Sequence, residues 1–176
     1  MKNNKTQFGI IAILILLAAF SRMIEHPLNF APISAMILFG AAHFNKKWQV
    51  FLVPLFATLI SDLWISGGYF NVWIYGSYFL IIIFGMMLYK SRVSVSNIMG
   101  GAIGSSLIFF IVSNFGVWMH PLYMKSLMAC YIDAIPFYQN TLAGNIFYST
   151  VLFGSYYVLQ SKFTVLKSQP IKYYSK

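Results

Sequence analysis

The side chains able to do chemistry are few in this sequence, and they fall in three short stretches, each following an apolar run. The first holds Arg22, Glu25, His26 and Asn29, the second Asp62, Trp64 and Tyr69, and the third Asn114, Trp118, His120, Lys125, Tyr131, Asp133 and Asn140. All three acids of the chain, Glu25, Asp62 and Asp133, are among them. A charge beside a long apolar run is costly to bury, so it either pairs or marks a site. Arg22 and Glu25 lie three residues apart and can pair on one helical turn; Arg22 can equally pair with Asp62 across helices. An ion pair that only holds helices together would account for Arg22 and Asp62. It would not require His26, Asn114, His120 and Asp133 on the same side. Amides, imidazoles, a paired charge and the rings of Trp64, Tyr69, Trp118 and Tyr131 are the ingredients that binding pockets combine.

Other chemistries fit less well. His26 and His120 could share one side of the chain while His43 lies elsewhere, but neither H-E-x-x-H nor C-x-x-C occurs. Each of those two histidines precedes a proline, Pro27 or Pro121, which suits loop-capping hydrogen bonds, so no metal is expected. Cys130, the single cysteine, reads as a small packing residue, since its nearest cation in sequence is Lys125. No Ser-His-acid order, no carboxylate pair on one helix face and no phosphate-cradling glycine loop points to an enzyme.

The elements that must position these residues follow from composition. Hydrophobic residues make up 59% of the 176 and charged residues only 9%, against roughly a quarter charged in soluble domains. An all-α integral membrane protein of one domain is expected. Six apolar runs, at 8–24, 31–44, 48–65, 72–89, 98–119 and 141–159, have the length of membrane helices or of shorter helices inside a bundle. The net charge of +9 belongs to tails and turns, which is a topology signal and not a nucleic-acid footprint. Lys2, Lys5, Lys46, Lys47, Lys90, Arg92, Lys162, Lys167, Lys172 and Lys176 all fall on one side of a six-span arrangement, leaving only Arg22 and Lys125 opposite. By the positive-inside rule both termini are then cytoplasmic, in the cell's inner membrane. The first run resembles a secretory signal, but Phe20 spoils the small-x-small cleavage pattern, so a retained anchor is expected. Gly100, Gly101 and Gly104 give the fifth run a small face for close helix packing.

Between the last two runs, residues 120–140 are too polar and too proline-interrupted to span a bilayer. Irregular backbone at membrane depth is tolerated where it lines a cavity. The segment is therefore expected as a partly inserted outer loop capping a site.

Four strings carry a family resemblance: HPLNFAPISAMILFGAAHF (26–44), LFATLISDL (55–63), NFGVW (114–118) and ACYIDAIPFYQNTLAGNIFY (129–148). They resemble a family of small bacterial membrane proteins that is similar to the substrate-binding S components of energy-coupling-factor vitamin transporters, and among these to the cobalamin transporter-like BtuM group. The resemblance implies a six-helix S-component-like bundle with a pocket near the outer face, closed by the outer loops. It implies uptake of a vitamin-like small molecule, with a corrinoid as the first candidate. Arg22, Glu25, His26, Asn29, Asp62, Trp64, Tyr69, Asn114, Trp118, His120, Tyr131, Asp133 and Asn140 are the expected substrate contacts. Cobalamin-binding relatives ligate cobalt through a cysteine after the third helix; residues 62–72 contain none, and no cofactor is expected. Nor do Ala12, Ala18 and Ala19 form the Ala-xxx-Ala face through which such components meet a shared energising module. The expected partners are a small-molecule ligand, membrane lipid and, in a larger assembly, other membrane subunits, with no nucleic acid. The alternative is a non-catalytic accessory or scaffold subunit whose outer loops bind a protein.

Overall fold

The computed structural model describes residues 2–67, 70–163 and 166, without the side chains of 2–4 and 66. Among them are seven helices and no strand: α1 (Lys2–Ser21), α2 (Ile33–His43), α3 (Lys47–Ser66), α4 (Val72–Leu88), α5 (Val95–Trp118), α6 (Leu127–Asp133) and α7 (Ile135–Lys162). Local chemistry sets their limits. Asn71 Oδ1 accepts from the backbone N–H groups of Trp73 and Ile74 at 2.9 and 3.2 Å, Ser94 Oγ from that of Asn97 at 3.2 Å, and Ser126 Oγ from that of Ala129 at 3.2 Å. Each satisfies donors that a helix start leaves open. At the far end of α3, Gly67 turns the chain with φ of 64°, which costs glycine no Cβ clash.

The shortest of the six expected runs is the centre of the fold. All ten residues of α2 from Ile33 to Ala42 are buried, as a helix that is apolar all round must be. Around it stand α1, α3, α4, α5 and α7. Neighbouring helices alternate in direction, so one end of the bundle gathers the ends of α1, α3 and α5 with the starts of α2, α4 and α7. This is the Arg22 end. The opposite end is marked by His43, whose ring packs on Phe153 and Tyr156 at 5.3 and 4.4 Å, and by Gln7, which donates to Tyr156 OH at 3.1 Å. Two glycines of the expected α5 face pack inside the molecule, since a Cβ on Gly101 would lie 2.8 Å from Tyr89 OH and one on Gly104 2.6 Å from the Phe84 ring of α4, whereas Gly100 is exposed and a Cβ there meets nothing within 4 Å.

Two helices, at Lys47–Ile65 and Val95–Trp118, are long and apolar enough to cross a membrane, with mean hydropathies of 1.6 and 1.8; Lys5–Ser21, Ile33–His43 and Val72–Leu88 are shorter apolar helices. The outward faces are apolar on several helices, through Ile13 and Leu17, Leu52 and Phe56, Ile103 and Leu107, and Phe147 and Val151.

The segment expected as an irregular cap takes another form. After a turn at 119–126 it makes α6, and α7 begins at Ile135 instead of 141, with Pro136 in its first turn, where a missing N–H costs nothing. The segment leans on the flank of α5: Tyr131 OH donates to Ile111 O at 2.8 Å, Cys130 Sγ to Asn114 O at 3.4 Å, and the Phe110 and Tyr131 rings meet at 5.5 Å. The roof over the interior is instead the first connection, 22–32.

Candidate functional site

That connection is fixed residue by residue. Phe30 N–H donates to Pro27 O at 2.9 Å, closing a turn in which Asn29 takes φ of 67°. Asparagine is among the few residues that enter this left-handed region at low cost. Asn140 Nδ2, on α7, donates to Leu28 O at 3.0 Å, and the Phe30 ring meets those of Phe147 and Tyr148 at 5.8 and 5.7 Å. One turn beyond Asn140, Gly144 lets the loop backbone lie directly on α7; a Cβ there would be 3.1 Å from Phe30 Cα and from Ala31 N.

Beneath the roof is a cavity of about 370 Å³, walled by α2, α3, α4, α5 and α7. Of the expected contacts, Arg22, His26 and Asn29 line it. Sequence reasoning missed Ser34, Tyr78, Phe109, Thr141 and Asn145, which line it together with apolar side chains. The rings of Tyr78 and Phe109, both in its lining, are stacked on each other, 10° from parallel with centroids 5.9 Å apart. Asn145 is 1% exposed and donates through Nδ2 to Ser106 Oγ at 2.7 Å. A smaller hollow of about 180 Å³ shares Asn29, Ile74, Phe109 and Thr141 with the cavity and brings in Asn114, whose Nδ2 donates to Phe110 O at 2.8 Å.

The charge at the rim is tied to three elements. Arg22 Nη2 meets Asp62 Oδ1 at 2.7 Å with both side chains about seven-eighths buried (13% and 15% exposed). Arg22 Nη1 donates to Ser61 Oγ and, at 3.5 Å, to Thr58 O, while Tyr75 OH donates to Asp62 Oδ2 at 2.7 Å. Asp62 therefore positions Arg22, which lines the cavity. Glu25, the other candidate partner, is exposed.

The remaining expected residues do not join the cavity. Glu25 and Trp64 sit with Arg22 and His26 on an outer groove, and Trp64 is 77% exposed. Trp118 packs on Phe115 at 5.6 Å. His120 is exposed, its Nδ1 accepting from Leu122 N–H at 3.4 Å. Tyr131 braces α6 on α5. Asp133 pairs with Lys125 at 2.6 Å on the surface, a contact that raises the Lys125 ammonium above its ordinary pKa. Asn140 holds the roof from outside. Tyr69 lies outside the described residues. Among those described, no three of His, Cys, Asp and Glu converge as metal ligands.

What the arrangement can do is bind. It offers neutral hydrogen-bonding groups from the roof, α2 and α7, aromatic side chains from α4 and α5, and one compensated cation. Comparison with curated proteins and with solved structures returns no match. Residues 2–167 match a family of unknown function, DUF6580, and the chain belongs to that family.

Proposed function

We propose that this protein crosses the membrane six times, through α1 to α5 and α7, and captures a compact vitamin-like solute in the cavity beneath the 22–32 roof. The observation that carries the reading is the cavity itself: a chamber whose polar lining comes from the roof and several helices, under a loop latched by Asn140 and seated on Gly144. A loop that served only to connect two helices would not need that fixing.

The membrane reading rests on the apolar outward faces, which soluble proteins seldom show over such an area, and on the charges. With helices alternating in direction, Lys46, Lys47, Lys90, Arg92 and Lys162 fall at the His43 end. That end is then cytoplasmic, with both termini, and the cavity opens outward. The function is of the S-component type: capture from outside, closure under the roof, release inside. No side chain in it is assigned a catalytic role.

At about 370 Å³ the chamber lies near the lower end of the range for drug-sized ligands, roughly 300–1,000 Å³. A corrinoid, a macrocycle with a nucleotide tail, would fill it only with the roof lifted. The geometry favours a smaller ligand with an apolar part for Tyr78 and Phe109 and a polar edge for Asn29, Thr141 and Asn145. A second reading is favoured by one observation. Leu122 and Met124 are 83% and 95% exposed beside α6, as an accessory subunit that docks a protein would require.

Native mass spectrometry of the full chain released from mild detergent separates the two. Solute capture gives a small-molecule mass carried by the protein. Recovery with larger polypeptides and no small molecule would overturn the proposal in favour of the accessory role.

A further inference from the structure

A second cavity, of about 550 Å³, lies at the His43 end between α5 and α7, with Ile98, Ser149, Phe153 and Tyr156 in its lining. It adjoins the first chamber along α7. Thr141 and Asn145 line the first; Ser149, Phe153, Tyr156 and Gln160 line the second. These six residues follow one another at three- and four-residue steps and so share one face of α7. Asn145 and Ser149 are one turn apart, a rise of about 6 Å. Along this face the lining passes from the first chamber at Asn145 to the second at Ser149.

The partition is polar, although an apolar one would be cheaper to bury. Ser105 and Ser106 are 0% exposed, and Asn145 and Ser149 are 1% exposed. Asn145 Nδ2 donates to Ser106 Oγ at 2.7 Å, and Ser106 Oγ donates to Ala102 O at 2.7 Å. Ser149 Oγ, directly below, has no hydrogen-bond partner among the described residues. A buried hydroxyl left unpaired keeps the cost of its lost hydration, and Ser149 is in the lining of the second chamber.

We propose that the second chamber is an inward-facing solute site and that the Asn145–Ser106 contact is the gate between the two chambers. This inference rests on the solute-binding reading above. Passage runs through the bundle along α7, in place of a reorientation of the whole bundle. The solute breaks the Asn145–Ser106 hydrogen bond by offering its own donor and acceptor, and Ser149 Oγ pairs with it on arrival. Every side chain at the gate is neutral, so the path suits an uncharged, hydrogen-bonding molecule. An ion would meet no counter-charge there.

The test needs no knowledge of the solute. In a full-length Cys130→Ala background, Ser149→Cys is treated with a membrane-impermeant, uncharged methanethiosulfonate glycoside, on spheroplasts and on inverted membrane vesicles. Labelling is expected from the cytoplasmic face only. Adding Asn145→Ala or, as a gentler change, Ser106→Ala should raise labelling from the outer face at least tenfold, in protein that still elutes as a single species. Failure of the Ser149→Cys thiol to react from either face, or sidedness unchanged by both gate variants, would overturn the proposal. Either result would leave outer capture standing, because capture is read from the bound mass and not from labelling.

Discussion

Arg22 shows how one residue can be legible in a sequence while its role is not. A lone arginine after an apolar run must find a carboxylate, and Asp62, at the end of another run, is one of two within reach. The structure supplies that pair at 2.7 Å and adds Tyr75, Ser61 and the backbone of Thr58. Removing Arg22 alone leaves a buried carboxylate uncompensated, and Arg22→Met should cost about 3–5 kcal/mol. Replacing the whole cluster, as Arg22→Met with Asp62→Leu and Tyr75→Phe, leaves no orphan and should melt within about 1 kcal/mol of the native protein. If Arg22 fixes the polar edge of a ligand, that same triple variant loses at least tenfold in affinity. Thermal melting beside ligand titration checks both halves; a stable triple variant with full affinity would make the cluster purely structural. Asn145 is harder to see. A neutral amide inside an apolar run carries no electrostatic alarm, and only the Thr141, Asn145, Ser149 spacing along one face hints at a lined interior.

At the scale of elements, apolar run length locates α1 to α5 and α7, because burying such runs leaves few alternatives. It cannot rank them. The eleven residues of α2 are marginal as a span, yet their all-round apolarity is what a central helix requires. Proline and polarity at 120–140 suggest irregular backbone, but Pro136 sits where a helix tolerates it and Ser126 caps α6, so local signals favour helix and the roof falls to 22–32. Gly144 tests that assignment. Gly144→Val should push the Phe30–Ala31 backbone off α7 at a cost of about 1–3 kcal/mol, seen as faster hydrogen exchange across 27–31 and loss of captured solute. Gly76→Ala on α4, where a Cβ meets nothing within 4 Å, serves as the control and should stabilise by up to about 1 kcal/mol. Unchanged exchange at 27–31 in Gly144→Val would remove the loop from its role as roof.

For the whole molecule, alternating helices, basic residues gathered at the His43 end and a chamber at the Arg22 end form one consistent arrangement, and the proposed capture of a solute under a latched loop rests on it. The central claim is that the chamber is filled by a small molecule. Thr141→Trp places an indole into that space from the wall of α7 while leaving Arg22, Asp62 and Asn140 themselves unaltered. Native and Thr141→Trp proteins, purified side by side and compared by native mass spectrometry, test the claim directly. The account predicts a small-molecule mass on the native protein and an empty, equally monodisperse variant. The same mass carried equally by both would place the ligand elsewhere and contradict it.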